Sequence, residues 1–399
     1  MSPFPANVPP ADATAFLRDK LALPTETWTD ILGAAHARAF VVAGANTEAI
    51  VTDFQVAITK MIEEGGTISD FAKHFDRIVE ERGWNYRGSR GWRIRVIYET
   101  NTRMAYMAAK WKAFVDNRLK RPYLRYVGIL DDRIRPLHRQ WHDTVLPVEH
   151  PWWRQHFPPN GWGCRCDVQS LSEKVLARRG LRLQPEAPPV VLVTRQVTSA
   201  RGTGFVTVPK GIDPGFDYNV GQAAFGSGHA ARGAMLPLLS PLPTVAGSIM
   251  PPVMPKASPG PAISGTPEVM AAAIRNEVEG HLADPAGAMI AVGQALAESL
   301  VAASLGPDGT TDPTRFLPLL RELVESPQEI WTGFVADGAT GKVTLLRRYL
   351  RLVRLPGGPL VLACDCAGRE VVLFTVTDPE KLPLLRTGLR LRMWTRPPT

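Results

Sequence analysis

The sequence predicts a multi-domain protein with a mainly α N-terminal module and a small α+β C-terminal domain that contains an antiparallel sheet. Three observations predict it. The chain has 399 residues, which is long for one hydrophobic core. Helical periodicity dominates the first third, whereas short apolar runs dominate residues 343–394. Nine prolines between Pro237 and Pro267 separate the two. We therefore expect domains at 1–235 and 268–399, joined by a linker at 236–267.

Four helical segments are expected at the start of the N-terminal module. Apolar residues recur at helical spacing after starts near Phe16, Thr25, Thr47 and Ser69. Ser69 is a residue type that caps helix N-termini, and Gly65 and Gly83 are suited to ending the helices before them. Residues 11–83 are therefore predicted to be helical.

A long basic helix is predicted next, from about Gly91 to Arg118. Tyr98 and Trp111 fall on its apolar stripe, so we expect both rings in the core. Eleven Lys and Arg residues against two acids lie between Tyr86 and Arg125. Such a surface favours phosphate polyanions, so helix 91–118 is a candidate contact for DNA; a solvated basic face is the alternative. A strand is predicted to follow at Tyr123–Ile129.

The densest chemistry lies in residues 131–166, which form an irregular loop with short strands around it. This stretch holds four of the eight histidines and two of the four cysteines. Imidazole and thiolate are the ligands of tetrahedral zinc, and the spacing of His138 and His142 places both rings on one helix face. The sequence therefore predicts a structural zinc site.

The proposed ligands of that zinc are His138, Cys164 and Cys166, with His142 as the fourth. His156 and Asp131 are alternatives for the fourth position. A different interpretation is equally consistent with the residues: the two thiols are small buried side chains, and the histidines form local hydrogen bonds. A Cys/His nucleophile with Asp131 as the orienting acid is a third interpretation.

Six phrases in the first half of the chain carry a family resemblance. They are FLRDKLALPTETW, HARAFVVAG, ETNTRMAYMAAKW, RPYLRYVGILDDRIRPLH, PPNGWGCRC and DPGFDYNVG. With them, the segment from Phe16 to about Gly221 resembles the phage Mu gpF-like (MuF) minor head proteins. The resemblance implies a few copies near the portal inside the procapsid, acting in head morphogenesis. It also favours His138 as a ligand, because this residue ends the family's recurring phrase DxRxRxxH.

The C-terminal domain is predicted to begin with helices over 268–304 and to continue as an antiparallel meander. Its strands are expected at Val343–Tyr349, Leu360–Cys364, Val371–Thr377 and Leu389–Trp394. Cys364 and Cys366 are expected in a turn, as reduced thiols. Helices first and strands afterwards make an α+β domain of about 130 residues.

The phrases LLRELVESPQEIWTGF, KVTLLRRYLRLV and LFTVTD resemble phage nucleases of the barnase, EndoU, colicin E5/D and RelE-like group. The resemblance implies a metal-independent ribonuclease and a histidine-bearing helix, here with His281. A base, cations and phosphate-orienting hydroxyls are what this chemistry needs. The candidates are His281, Arg347, Arg348, Tyr349 and Thr375. The alternative is that His281 and the arginines are exposed residues with no role in catalysis.

Two functions follow, ranked by how much of the chain carries them. The first is a minor capsid protein of a phage or prophage, with portal and capsid or scaffold proteins as partners. The alternative is a toxin-like ribonuclease, with RNA as substrate and an immunity protein as partner. The sequence contains no run of 18 or more apolar residues, so no membrane span is predicted. The N-terminus lacks a signal-peptide pattern. We therefore expect the protein in the virion interior and the host bacterial cytoplasm.

Overall fold

The structure is a computed structural model that describes residues 10–31, 33–199, 202–226, 235–237, 254–263, 266–278, 280–285, 289–304, 312–337, 340–386 and 389–392. The chain divides into two compact units. The N-terminal unit comprises Met1–Leu238 with Ala336–Val343, and the C-terminal unit comprises Leu239–Val335 with Thr344–Thr399. Most of the predicted linker at 236–267 lies outside the described residues. None of the helices in the described ranges is long and apolar enough to cross a membrane.

The N-terminal unit is mainly helical up to residue 116, apart from two two-residue strands, and has more strands after residue 120. Its elements are α1 (Pro10–Arg18), β1 (Leu21–Ala22), β2 (Ala39–Phe40), α2 (Glu48–Glu64), α3 (Ile68–Arg82), α4 (Arg90–Asp116), β3 (Tyr123–Val127), α5 (Pro136–Gln140), β4 (Val145–Pro147), α6 (Trp153–His156), β5 (Asp167–Leu171), α7 (Glu173–Arg179), β6 (Leu192–Ser199), β7 (Gly202–Pro209), α8 (Val220–Phe225) and β8 (Met235–Pro237).

The predicted helix after Thr25 is wrong. The chain instead forms two short 3-10 turns, Trp28–Asp30 and Gly33–Ala37. Gly33 has φ +56, a left-handed conformation that interrupts a right-handed helix. The first helix, expected to start near Phe16, begins at Pro10 and ends at Arg18, and Leu21 lies in β1. The helices expected near Thr47, Ser69 and Gly91 are present, and α4 places Tyr98 and Trp111 in the core as predicted.

An aromatic core joins α2, α3 and α4. Phe54 of α2 packs against Phe71 and Phe75 of α3, and Phe71 packs against Tyr98 of α4. Trp84 closes the cluster against Phe54 with ring centroids 5.3 Å apart. Full burial of large aromatic rings makes this cluster a main source of stability for the unit, because each ring removes a large apolar area from water.

The start of α3 differs from the prediction by two residues. Its N-cap is Thr67, whose hydroxyl accepts from the Asp70 amide at 3.3 Å, and the Asp70 carboxylate accepts in return from the Thr67 amide at 3.1 Å. Ser69, the predicted cap, lies inside the helix and is exposed. Thr67 caps α3 in preference to Ser69 because the aspartate three residues after Thr67 completes a reciprocal capping box.

Thr67→Ala is therefore expected to lower the free energy of unfolding of the N-terminal unit by about 1 kcal/mol. Ser69→Ala is the matched control and should change it by less than about 0.5 kcal/mol. Urea titration followed by circular dichroism checks both. Equal effects of the two substitutions would show that Thr67 does not cap α3.

Besides the parallel pair of β1 and β2, two small sheets complete the described part of the N-terminal unit. In the first, β3 is central and antiparallel to both β4 and β5, with Tyr126 opposite Val168. In the second, β6 and β7 form a hairpin that pairs Leu192 with Pro209. The first sheet places the end of the 131–166 loop next to its beginning, because β3 precedes the loop and β5 follows it.

The C-terminal unit combines helices with one sheet. Its elements are α9 (Pro267–Val278), β9 (Gly280–Ala283), β10 (Met289–Val292), α10 (Gln294–Ser304), a 3-10 helix (Pro313–Leu319), α11 (Leu320–Glu325), β11 (Glu329–Asp337), β12 (Val343–Leu355), β13 (Gly358–Ala367), β14 (Glu370–Thr377), α12 (Leu382–Leu385) and β15 (Leu389–Arg392). In the described part of this unit, the strand order is β15-β11-β12-β13-β14-β10-β9.

The predicted α+β class is confirmed, with an antiparallel-rich sheet. β12–β13, β13–β14, β9–β10 and β11–β15 are antiparallel, while β10 and β14 are parallel. Two details of the prediction are wrong. The helix expected over 268–304 is interrupted by the β9–β10 hairpin, and Gly280 at its start has φ +136. Cys364 and Cys366 lie inside β13 rather than in a turn.

Candidate functional site

Three of the four predicted metal ligands meet in the N-terminal unit. The His138 Nδ1 atom lies 3.7 Å from Cys164 Sγ and 3.5 Å from Cys166 Sγ, and all three ligand atoms lie within 4.8 Å of one another. All three residues are buried. A cavity of about 20 Å³ borders them, together with the Arg133 and Arg165 side chains. One nitrogen and two sulfurs around a space of atomic size can coordinate one metal ion.

Local sequence explains why these atoms converge. Pro136 occupies the first turn of α5, where its missing amide costs nothing, and α5 presents His138 to the interior. Cys166 immediately precedes β5, which pairs with β3 on the other side of the loop. Gly163, with φ +65, turns the chain so that Cys164 also faces inward.

The imidazole of His138 is held with Nδ1 toward the sulfurs. Its Nε2 lies 2.8 Å from the Gly211 carbonyl oxygen, so Nε2 carries the proton and donates it to that carbonyl. Nδ1 is then the unprotonated nitrogen, as a metal ligand requires. A side chain at Gly211 would come within 2.9 Å of Leu137 and Trp141, so glycine is needed for this close approach.

The two thiols are electrostatically different. A hydrogen bond from the Cys166 thiol holds the pKa of Cys164 well below its usual range, and the neighbouring His138 side chain and the Asn160 backbone lower it further. The hydrogen bond to Cys164 and burial raise the pKa of Cys166. Cys164 is therefore the more acidic thiol of the pair. A thiolate is the form that binds a metal.

His142, the predicted fourth ligand, is not brought to this group. Its Nδ1 accepts the Gly128 amide at 3.1 Å, and its Nε2 lies 3.3 Å from the Asp143 carboxylate. The reason is the shortness of α5, which ends at Gln140, so that His142 does not continue the helical face of His138. Asp131 is not in the group either, because it pairs with Arg165 at 2.6 Å.

His156 is part of an aromatic wall beside the three ligands. Its ring stacks on Trp152 at 4.3 Å and meets the edge of Trp141 at 4.9 Å, while Trp141 stacks on His138 at 5.0 Å. Its Nδ1 is 3.1 Å from the Trp152 carbonyl oxygen. His156 therefore packs and hydrogen-bonds locally, which leaves three ligands within the described residues.

The burial of His156 predicts a dependence of stability on pH. Desolvation lowers its pKa from 6.5 to about 4. Between these values the unfolded chain takes up a proton that the folded chain does not, so stability is highest above pH 6.5 and falls as the pH approaches 4. The loss amounts to about 3 kcal/mol. Denaturant titrations of the wild type and His156→Gln at pH 7 and pH 4.5 check this. An equal change in the free energy of unfolding between the two pH values in both proteins would contradict it.

Several cations of the basic helix α4 form hydrogen bonds or ion pairs with other residues of the N-terminal unit. Arg103 donates to the Cys166 carbonyl oxygen, and Lys110 pairs with Asp167, so both brace the strand that follows the ligands. Arg90 forms a double hydrogen bond with Asp76. Trp92 is the exposed aromatic residue of this helix, whereas Tyr106 is buried. The charge of α4 therefore supports the fold at least as much as an external partner.

The predicted nuclease residues are spread over three places in the C-terminal unit. His281 lies on the edge strand β9 with its side chain exposed, so the prediction of a histidine-bearing helix is wrong. Arg347 and Tyr349 are buried and both bind the Asp284 carboxylate, at 2.8 and 2.7 Å. Arg348 points to the opposite face of β12, where it forms a double hydrogen bond with Asp365.

Thr375 shares the face of Arg348. It pairs with Ala363, which in turn pairs with Leu350, two residues from Arg348 on the same strand. The five predicted residues therefore do not form one cluster in the structure. Sequence reasoning missed Asp284 and Asp365, the carboxylates that hold the two arginines. A signal existed, since arginines that point inward from a sheet need buried acids, but their partners lie far apart in sequence.

Comparison with known proteins gives two family matches. Residues 52–169 match the family described as Phage Mu protein F like protein, and residues 269–391 match the phage-Barnase-EndoU-ColicinE5/D-RelE like nuclease2 family. Both resemblances predicted from the sequence are thereby confirmed. The first match contains His138, Cys164 and Cys166, and the second contains the five nuclease candidates.

Two curated relatives each match just over half of the chain. The chain is 32% identical over 255 residues to "Putative capsid assembly protein F" of Escherichia phage Mu, covering 57% of this chain and 57% of that protein. It is 32% identical over 224 residues to "Mu-like prophage FluMu F protein" of Haemophilus influenzae, covering 51% and 54%. The chain thus spans about half the length of these relatives. No solved structure matches it significantly.

Proposed function

Because residues 52–169 carry a Mu F like domain, we propose that this chain is a minor head protein that acts in phage head morphogenesis. The observation that carries the proposal is the 32% identity to a protein named as a capsid assembly protein. We further propose that it lies near the portal inside the procapsid, with portal, capsid and scaffold proteins as partners. Its locations are then the virion interior and the host bacterial cytoplasm.

We propose zinc as the ion of the His138, Cys164 and Cys166 group. Two sulfurs and one imidazole nitrogen suit zinc better than calcium or magnesium, which prefer oxygen. The role would be structural. The ion would tie α5 to the strand β5 across an irregular loop that has little regular structure of its own.

An assembly role predicts a defined number of copies in the head. In a phage or prophage that encodes this chain, purified heads should contain it at a few copies per portal ring, measured by quantitative mass spectrometry against the portal protein. Cells that lack the gene should yield fewer filled heads, and the wild-type gene should restore their number. Normal yields of filled heads without the protein would contradict the assembly role.

DNA is a further proposed partner, through helix α4. The internal pairs of Arg90, Lys110 and Arg103 leave fewer free cations than the sequence suggested, so this proposal rests mainly on exposed residues such as Arg95. Phosphate contacts are salt-dependent, so binding to duplex DNA should weaken steeply as salt is raised.

The second proposed function is ribonuclease activity of the C-terminal unit. The observation that favours it is the match of residues 269–391 to a nuclease family. RNA is the proposed substrate, His281 the proposed base, and Arg347, Arg348, Tyr349 and Thr375 the proposed phosphate-binding residues. A cell that makes such an enzyme needs protection, so an immunity protein is the proposed partner. The experiment that tests this function is described in the Discussion.

A further inference from the structure

A cavity of about 450 Å³ lies within the N-terminal unit, apart from the candidate ligands His138, Cys164 and Cys166. It is bordered by the first half of α4, the segment after β2 and the loop at 215–218. Small-molecule sites in proteins have volumes of this order, with mostly apolar walls and a few polar groups. The cavity is therefore large enough for an organic ligand.

Aromatic rings form much of the wall. Trp28 meets the edge of Trp162 with ring centroids 5.6 Å apart, and Trp162 meets the edge of Phe216 at 5.0 Å. Ile97 and Met104 of α4 add aliphatic surface. Rings that contact one another edge to face keep their positions, so this wall is shaped before a ligand arrives. An aromatic or aliphatic body would be removed from water against it.

Two buried cations border the same cavity. Lys20 is 8% exposed, and within the described ranges its ammonium forms no hydrogen bond or ion pair. Its Nζ atom lies over the Phe16 ring, 4.2 Å from the ring centroid. Arg93 is also 8% exposed and donates to the Arg87 carbonyl oxygen, again without a carboxylate partner among the residues described. Buried charges are normally paired, so both are unusual.

The other polar groups of the cavity supply no negative charge. The Tyr218 hydroxyl is buried and has no hydrogen-bond partner among the described side chains and backbone. Burial lowers the pKa of His36 to about 4, so this ring is neutral near pH 7. Burial and the charge of Arg38 lower the pKa of Lys20 to about 7. The Lys20 amine and the Tyr218 hydroxyl therefore have no acceptor among the described residues, whereas the Arg93 guanidinium already donates to the Arg87 carbonyl oxygen and lies over the Trp84 and Trp92 rings.

We propose that this cavity binds a small organic anion, in which one acidic group is joined to an aromatic or aliphatic body. Lys20 supplies the counter-charge, the Tyr218 hydroxyl is available as a donor, and the body packs against Trp28, Trp162 and Phe216. The charge balance of the cavity carries this assignment: its charged groups are cations, and most of its neutral lining is apolar. The site is independent of the proposed zinc ion and of head assembly.

The test uses two probes of nearly equal shape, 1-naphthaleneacetate and its uncharged amide, 1-naphthaleneacetamide. Isothermal titration calorimetry on the full-length protein at pH 6.5 should show the acetate binding at least about tenfold more tightly than the amide, because a charged hydrogen bond contributes only to the acetate. This comparison needs no variant. Equal affinities, or no binding of either probe, would overturn the proposal.

Variants then identify the counter-charge. Lys20→Met keeps the side-chain length and removes the charge. It should bring the affinity for the acetate to within about twofold of the affinity for the amide, while binding of the amide shows that the cavity is intact. Tyr218→Phe removes only the hydroxyl and should weaken the acetate several-fold. Lys60→Met, an exposed lysine of α2, is the matched control and should preserve the acetate preference. A Lys20→Met protein that still prefers the acetate as the wild type does would contradict the assignment.

Discussion

Replacing Cys164 and Cys166 by serine in the full-length protein is expected to remove one equivalent of zinc and to destabilise the N-terminal unit strongly. Both sulfurs lie within 4.8 Å of His138 Nδ1 in a buried site, and serine binds zinc far more weakly than thiolate. Structural zinc contributes on the order of 10 kcal/mol to small metal-dependent folds. The helical core of α2, α3 and α4 does not depend on the ion, so we expect a partial loss, of several kcal/mol.

The chain contains its own control. Cys364 and Cys366 form a second Cys-x-Cys pair, also buried, with sulfurs 4.0 Å apart and no histidine grouped with them in the described residues. Elemental analysis should find zinc retained in Cys364→Ser/Cys366→Ser and lost in Cys164→Ser/Cys166→Ser. His138→Gln should lose zinc, as Cys164→Ser/Cys166→Ser does. Wild-type protein that is folded and free of metal after purification with added zinc would contradict the metal site.

The stability measurement separates the metal from the loss of two buried thiols. Thermal melts of the wild type with and without a chelator should differ by at least about 10 °C, and those of Cys164→Ser/Cys166→Ser should not differ at all. A chelator effect that persists in the serine variant would mean that the ion binds elsewhere.

The sequence predicted the metal group better than it predicted its surroundings. His138, Cys164 and Cys166 could be identified because few chemical roles combine imidazole and thiol, and a family phrase marked the histidine. His142 was wrong for a physical reason: helical spacing brings two side chains together only where the helix continues, and α5 ends at Gln140. The length of a five-residue helix depends on tertiary contacts that periodicity does not reveal.

The same limit applies to the C-terminal unit. The strands β12 to β14 were predictable because apolar residues alternate along them, but the partners of their arginines were not. Arg347 binds Asp284, 63 positions earlier in the sequence, through a strand that was predicted as helix. Cys364 and Cys366, with Asp365 between them, were expected in a turn because they come at the end of a predicted strand, directly before Ala367 and Gly368. In the structure that carboxylate is satisfied by Arg348, so a central strand tolerates it.

The largest effect expected in the C-terminal unit concerns RNA cleavage. Purified full-length protein should cleave RNA in the presence of a chelator, because the proposed reaction needs no metal. The base removes the proton of a 2′-hydroxyl, the resulting oxygen attacks the adjacent phosphorus, and the 5′-oxygen leaves with a proton from an acid. The products should therefore carry 2′,3′-cyclic phosphate and 5′-hydroxyl ends.

His281→Ala is the sharpest variant for this reaction. Loss of a general base typically slows catalysis by about 100-fold or more, and His281 is exposed on an edge strand, so its removal should not disturb folding. Arg347→Ala is less informative, because it leaves the buried carboxylate of Asp284 without its arginine and is expected to cost about 3 to 5 kcal/mol of stability. Arg369→Ala, an exposed cation in the turn before β14, is the matched control for surface charge.

The outcomes separate the enzyme from the choice of its base. If wild-type protein and Arg369→Ala cleave RNA while His281→Ala is slower by two orders of magnitude, the histidine is the base. Cleavage that is unchanged in His281→Ala would retain the ribonuclease and remove His281 from its mechanism, which directs attention to the Asp284, Arg347 and Tyr349 cluster. Intact RNA with folded wild-type protein, across pH 5 to 9, would contradict ribonuclease activity and leave the head assembly role as the function of the chain.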